Sequence, residues 1–227
     1  MAAGNVFTQQ TTIRGKMDTL NIVCVQTGNY LGRGDEYVHK LHAAVEKHVT
    51  IPHEFYVVTD DAASLYQGMI VKPSALPAWW EKLRLFKKGM FEGRVMFLDL
   101  DTLITGNIDD IASYDGSFAT LRDFWRPKGL GPAVMLWNTE AELGIWEEFE
   151  ASDFRMTDPR GDQAFLENLN QGRFAKQIDI LQDLYPGRFV SYKEHCTNGI
   201  PEGASVCCFH GKPRVHEVNG WVKEIWK

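Results

Sequence analysis

Two aspartates, Asp99 and Asp101, close an apolar run in the stretch VMFLDLDTLITGN (residues 95–107). A buried carboxylate is costly unless something positive meets it, and two side by side raise each other's pKa. On a strand, alternation puts Asp99 and Asp101 on one face and Leu98 and Leu100 on the other. Two such carboxylates, completed by phosphate oxygens and water, make an oxygen-rich shell that suits Mg²⁺ or Mn²⁺. The plainer reading is a strand end with two solvated acids. A second group lies late in the chain, in His210-Gly211-Lys212-Pro213. There an imidazole stands beside a glycine that permits close backbone approach and a lysine that can act as a point charge for a phosphate.

The elements that must position these groups follow from hydrophobic periodicity. NIVCVQTG (21–28), EFYVVTDD (54–61) and RVMFLDLDT (94–102) read as buried strands. Between them, Tyr37, Val38, Leu41, Val45 and Val49 form a helical stripe with Asp35 as a cap candidate, and Trp80, Leu83, Lys87 and Met90 recur at helical spacing after a proline. This β-α-β-α-β order predicts a parallel sheet with helices on its faces, in which ligands bind beyond the carboxyl ends of the strands. In the second half, SFATLRDF, PAVMLWN, RFVSYK and SVCCFH read as strands, EAELGIWEEFEA and DQAFLENLN as helices, and WRPKGLGPA as a loop.

The bulk numbers narrow the function classes. The chain has 227 residues, 44% hydrophobic and 24% charged, with a net charge of −6. No linker, repeat or low-complexity tract interrupts it, which predicts residues 1–19 as an N-terminal tail or leader and 20–227 as one domain. An acidic chain without a long basic run argues against nucleic-acid binding. No apolar run reaches the roughly 20 residues of a membrane span, and no secretory h-region opens the chain. The cysteines, Cys24, Cys196, Cys207 and Cys208, are too few and irregular for a disulfide framework. Reduced thiols in a cytoplasm are the expectation. Zinc on Cys196, Cys207, Cys208 and His210 is disfavoured, because adjacent strand residues point to opposite faces.

An ordered series of motifs then points to a family. IVCVQTGNYL, FYVVTDD, WWEKLRLF, RVMFLDLDTLITGNIDDI, AVMLW, GDQAFL and CFHGKPRVHEV, spread over residues 20–222, together resemble retaining glycosyltransferases of family 8, of the glycogenin and bacterial galactosyltransferase type. The resemblance implies an α/β GT-A fold, Rossmann-like and single-domain with a mixed central sheet. It implies a donor site in which Asp99, Asp101 and His210 hold a Mn²⁺, with Mg²⁺ as the other candidate, on the diphosphate of a UDP-sugar. An imidazole among oxygen ligands tilts the choice to Mn²⁺. Gly211 and Lys212 match the element that meets the diphosphate, and this chain's version is shorter than the family's. Thr27, Asn29 and Tyr30 match the loop that receives base and ribose. Lys82, with Arg84 as second choice, matches the basic residue that reaches the donor from a helix. Asp162 and Gln163 match the pair beside the reacting sugar carbon, with Asp162 hydrogen-bonding sugar hydroxyls. Asp123, Asn138 and Trp125 are weaker candidates for sugar or acceptor contacts.

The implied reaction transfers a hexose from UDP to a hydroxyl acceptor with retention. The metal and lysines would offset charge on the leaving diphosphate. Gln163 is a poor nucleophile, so a front-face route is the economical one. Two alternatives stay open. FLDLDTLIT also resembles the first motif of haloacid-dehalogenase-type phosphatases, with Asp99 as nucleophile, although Leu103 stands where that motif has Thr or Val. A module that binds nucleotide sugars without transferring them would keep the same metal ligands.

Overall fold

The protein is described by a computed structural model covering residues 6–7, 19–28, 30–60, 69–71, 76, 78–152, 158–171 and 178–227. The strands in chain order are β1 (Val6–Phe7), β2 (Leu20–Gln26), β3 (His53–Thr59), β4 (Met69–Val71), β5 (Arg94–Leu98) and β6 (Thr102–Ile104). They continue with β7 (Phe118–Arg122), β8 (Leu130–Asn138), β9 (Asp179–Ile180), β10 (Phe189–Ser191) and β11 (Val206–Cys208). The helices are α1 (Gly34–His48), α2 (Glu81–Arg84), α3 (Asp109–Ala112), α4 (Ile145–Ala151), α5 (Asp162–Gln171), α6 (Leu181–Leu184), α7 (Tyr192–His195) and α8 (Trp221–Ile225).

A mixed central sheet runs in the order β1-β4-β3-β2-β5-β8-β7-β9. From β1 to β5 the pairs are parallel, as the β-α-β pattern predicts, whereas β8 joins β5 and β7 antiparallel. Both faces are covered, so the strands read as continuous apolar runs. Alternation sorts the side chains. Ile22, Cys24, Met96 and Leu98 enter one core beneath α1, while Val23, Val95 and Phe97 enter another shared with Trp80, Leu83, Phe149 and Phe165. The α1 stripe of Tyr37, Val38, Leu41 and Val45 is buried as its spacing predicts. Asp35 lies inside the first turn of α1 instead of capping it, because the helix starts at Gly34.

A second sheet of three strands, β10-β11-β6, leans on the carboxyl end of the first. It accounts for the main departures from the sequence reading. The strand expected over 94–102 ends at Leu98. Thr102 N–H then donates to Asp99 O at 3.0 Å, closing a turn that redirects the chain into β6 and the second sheet. Asp99 and Asp101 therefore flank a turn and do not share a strand face. The helix expected around Trp80–Met90 is a 3₁₀ turn and the short α2, with turns from Leu85 to Met90. The region expected as the loop WRPKGLGPA becomes strand from Leu130, where β8 pairs along β7 with a register shift between Thr120 and Leu121. The helix expected over EAELGIWEEFEA is broken by Glu142 and Gly144, both at positive φ, and resumes as α4.

Candidate donor site

The pairing register of the small sheet gathers the chemistry. In β10 and β11, which run parallel, Ser191 stands opposite Cys208, and Cys208 stands opposite Thr102 of the antiparallel β6. Asp101 immediately precedes Thr102, and His210 follows Cys208 by two residues, so segments more than a hundred residues apart meet at one edge. On the central sheet, Asp99 continues the Val95–Phe97 face and donates its backbone N–H to Ala133 O at 2.8 Å. That face looks towards α2. There the Lys82 ammonium lies 5.2 Å from the centre of the Phe97 ring, 2.7 Å from Asp99 Oδ1 and 3.5 Å from Asp162 Oδ2. Asp162 opens α5 and is 4% exposed. Asp101, 7% exposed, meets Arg214 at 3.2 Å from Oδ2.

Three carboxylates thus share two cations in a largely dry place. Burial, then the neighbouring Asp99 charge, pushes Asp101 up to about 7 against the pull of Arg214. Burial likewise raises Asp162 to about 6 and raises Asp99, in both cases against Lys82. Burial pulls Lys82 down, but the Asp162 and Asp99 carboxylates outweigh it and hold its pKa above the usual lysine value. Carboxylates with raised pKa values around a buried lysine mark a place built for another positive partner.

Beside this cluster opens a cavity of about 220 Å³, floored by Lys82, Asp99, Asp162 and Gln163 and walled by Asp123, Phe124, Trp125, Arg160 and His210. Gln163 gives its amide nitrogen to Asp123 Oδ2 at 2.9 Å and to the Leu130 carbonyl. Its amide oxygen is the atom left to meet a ligand. Asp123 also takes the Arg126 guanidinium, and Glu167 ties Arg126 to Arg160. Trp125, 55% exposed, stands edge-on to His210 with ring centres 4.1 Å apart.

A divalent cation can be tested against this arrangement. His210 Nε2 shares a 2.8 Å hydrogen bond with Ser191 Oγ, while Nδ1 is buried without a partner, as is Asp162 Oδ2 apart from its longer ion pair with Lys82. A ligating imidazole is normally held at its other nitrogen in this way. Burial, then the nearby Lys193 charge, lowers the His210 pKa and favours the neutral, ligating form. The donor chemistry therefore fits. Among the described residues no three His, Cys, Asp or Glu side chains already stand at metal-holding spacing. Asp99 and His210 line one cavity, but they do not form a closed cage with Asp101.

The remaining candidates divide. Tyr30 is at the site: half-buried, it has its hydroxyl pKa raised first by burial and then by Asp101 and Asp99. Thr27 lies just past β2, next to Gly28, whose N–H donates to both Asp60 carboxylate oxygens at 3.0 and 2.9 Å. Asn29 falls outside the described residues. Gly211 has φ of 68°, and Lys212 is exposed. Arg84 points away, its Nε 2.7 Å from the fully buried Glu81 Oε2, which leaves Lys82 as the basic residue of α2 at the site. Asn138 is not part of the site. It pairs with Arg94 at the far end of β5 and takes the Glu140 N–H. The four cysteines are buried unpaired thiols, with Cys207 and Cys208 on opposite faces of β11: Cys207 Sγ is 3.8 Å from Cys196 Sγ, while Cys208 lines the cavity. Sequence reading missed Arg214, Asp60, Phe124 and Ser191. A cation two residues after Lys212 was the one signal for Arg214.

Comparison with solved structures decides the fold. The chain is similar to the glycosyltransferase GlyE of Streptococcus pneumoniae TIGR4, with a TM-score of 0.66 at 18% identity over 91% of this chain and 58% of GlyE. The fold is GT-A. An active-site mutant of LgtC matches with a TM-score of 0.61 at 13% identity over 90% of this chain and 93% of LgtC. The galactosyltransferase LgtC bound to donor and acceptor sugar analogs matches at 0.59 and 14% over 86% and 88%. No family model matches the chain, and no curated protein matches it. This chain spans a little under three-fifths of the length of GlyE. Among the described residues no helix is long and apolar enough to cross a membrane.

Proposed function

We propose that this GT-A protein is a metal-dependent glycosyltransferase that moves a hexose from a UDP-sugar to a hydroxyl acceptor with retained configuration. The carrying observation is the turn at Asp99–Asp101. It places the half-buried Asp99 and the buried Asp101 at the carboxyl end of β5 within reach of Lys82 and Arg214, beside a cavity holding Asp162 and Gln163. Ligands of open α/β sheets bind at such strand ends.

Asp99, Asp101 and His210 would hold a Mn²⁺, with Mg²⁺ as the other candidate. When bound, the ion supplies Lewis-acid stabilisation of the leaving diphosphate. The chain's own residues do the rest. Lys82 and Arg214 orient the acids, and with Lys212 they bring fixed positive charge to where the diphosphate charge develops. Tyr30 and the Gly28–Asp60 contact border the approach to the nucleotide. Asp162 holds sugar hydroxyls, and the Gln163 amide oxygen faces the reacting carbon. With no carboxylate nucleophile at that position, the acceptor attacks from the leaving-group side, and its proton passes to the departing phosphate oxygen.

The test is calorimetric titration of UDP with Mn²⁺ and with excess chelator, on the wild type and on Asp101→Asn. Binding that needs Mn²⁺ and is lost in the variant supports the donor site, and a screen of UDP-sugars for UDP release then names the sugar. Absence of UDP binding under every metal condition, or turnover of a simple phosphate ester without UDP, would sink the proposal.

A further inference from the structure

The parallel register that sets His210 in the cavity wall also sets a second residue near it. Lys193 follows Ser191 by two residues, as His210 follows Cys208, and Ser191 and Cys208 are paired. Lys193 lies in α7, outside every motif that marks the site in the sequence. Its ammonium is 5.2 Å from the centre of the Trp125 ring, and a Cβ on Gly211 would come within 3.2 Å of it. It thus stands against the same glycine that would meet a phosphate.

Its surroundings leave the charge unneutralised. Among the described residues no carboxylate lies within ion-pair distance of Lys193. Glu194, next in the chain, is turned to the Trp125 indole, whose N–H donates to Glu194 Oε1 at 2.5 Å. The Trp125 side chain thus fixes α7 twice, through that hydrogen bond and through its ring under the Lys193 ammonium. The lysine is half-buried and its charge is felt at His210. A cation held in place by an aromatic ring, without an acid, facing a positive-φ glycine is arranged for an anion from solution.

We propose that Lys193 is an anion-binding residue of the donor site, contacting a phosphate oxygen of the nucleoside diphosphate alongside the Gly211 backbone. This rests on the donor-site reading above. The experiment titrates UDP, UMP and inorganic pyrophosphate, each with Mn²⁺, into wild type, Lys193→Gln and Lys193→Arg, with near-ultraviolet circular dichroism to establish that each is folded. Loss of one charge-assisted contact predicts that Lys193→Gln weakens UDP about tenfold, affects UMP less, and that Lys193→Arg recovers most of the loss. UDP affinity within twofold of wild type in a folded Lys193→Gln overturns the assignment, and an anionic acceptor would then be the occupant to pursue. If wild type binds no UDP, the proposed function fails and pyrophosphate decides Lys193 alone. Weaker pyrophosphate binding in Lys193→Gln upholds an anion site there, and equal binding, or none to wild type, removes it.

Discussion

Replacing Lys82 with methionine tests whether the acidic cluster is held by charge. The substitution keeps the aliphatic stem over Phe97 and removes an ammonium 2.7 Å from Asp99 Oδ1 and 3.5 Å from Asp162 Oδ2. The Lys82 side chain is only 11% exposed, so water screens little of that interaction. Deleting one partner of a buried ion pair costs about 3–5 kcal/mol. In a chain of this length each kcal/mol moves Tm by about 2–4 °C, so a drop of about 10 °C is expected at pH 8. The loss depends on pH with a definite sign. Asp162 already has its folded pKa raised to about 6, above its ordinary 3.8, and Lys82 is what restrains it and Asp99. Without Lys82 both rise further. A folded pKa above the unfolded one means stability that is present at low pH and lost as pH rises through the folded value. The deficit should therefore shrink at pH 5, where the carboxyls take protons, and grow from about pH 6 upward. Thermal and urea unfolding of both proteins in chelator at pH 5, 6, 7 and 8 measures it. A deficit independent of pH, or below about 1 kcal/mol at pH 8, would refute the reasoning.

The wild type itself, in chelator, should lose stability as pH rises through 6 to 7, because Asp162 at about 6 and Asp101 at about 7 both stand above their unfolded 3.8, and Mn²⁺ should flatten that slope in the same unfolding series. Asp101→Asn should abolish Mn²⁺-dependent UDP binding by calorimetry while raising the metal-free Tm at pH 8, since it removes a buried charge and leaves Arg214, whose side chain is 29% exposed, free to reach water. Arg84→Met should cost about 3 kcal/mol in urea unfolding by stripping an ion pair from the fully buried Glu81, yet leave UDP affinity of the folded protein unchanged.

The sequence conveyed the periodic elements well and the turns between them poorly. The α1 stripe and the buried strands β2, β3 and β5 declare themselves because both faces of the sheet are covered and every position is constrained. The end of β5 was illegible, because Leu98, Asp99 and Leu100 continue the alternation while the chain has already turned to supply the second sheet. The helix expected near Trp80 stops short, because α2 is held by the Glu81–Arg84 pair and the aromatic core and its spacing reports packing, not helix length. At the site, Lys82, Asp99, Asp101, Asp162 and Gln163 were readable from their motifs and do converge. Lys193 was not, since what brings it in is strand register, which no local pattern encodes, and Arg214 showed only as a cation two residues past Lys212.

The order in which the chain is made gives the small sheet a further meaning. The acids of the β5 turn and the first parallel strands are synthesised early, and β2, β3 and β5 can pair as soon as they exist. Strand β11, with His210 and Arg214 behind it, comes about a hundred residues after β6 and must still find it. Pairings of such sequence separation form late, because the closure entropy precedes the reward. Until then Asp101 lacks the cation that faces it. The candidate site is consequently expected to be a late product of folding, and a chain stalled before β11 would carry the central sheet without the segment that brings His210 and Arg214 to it.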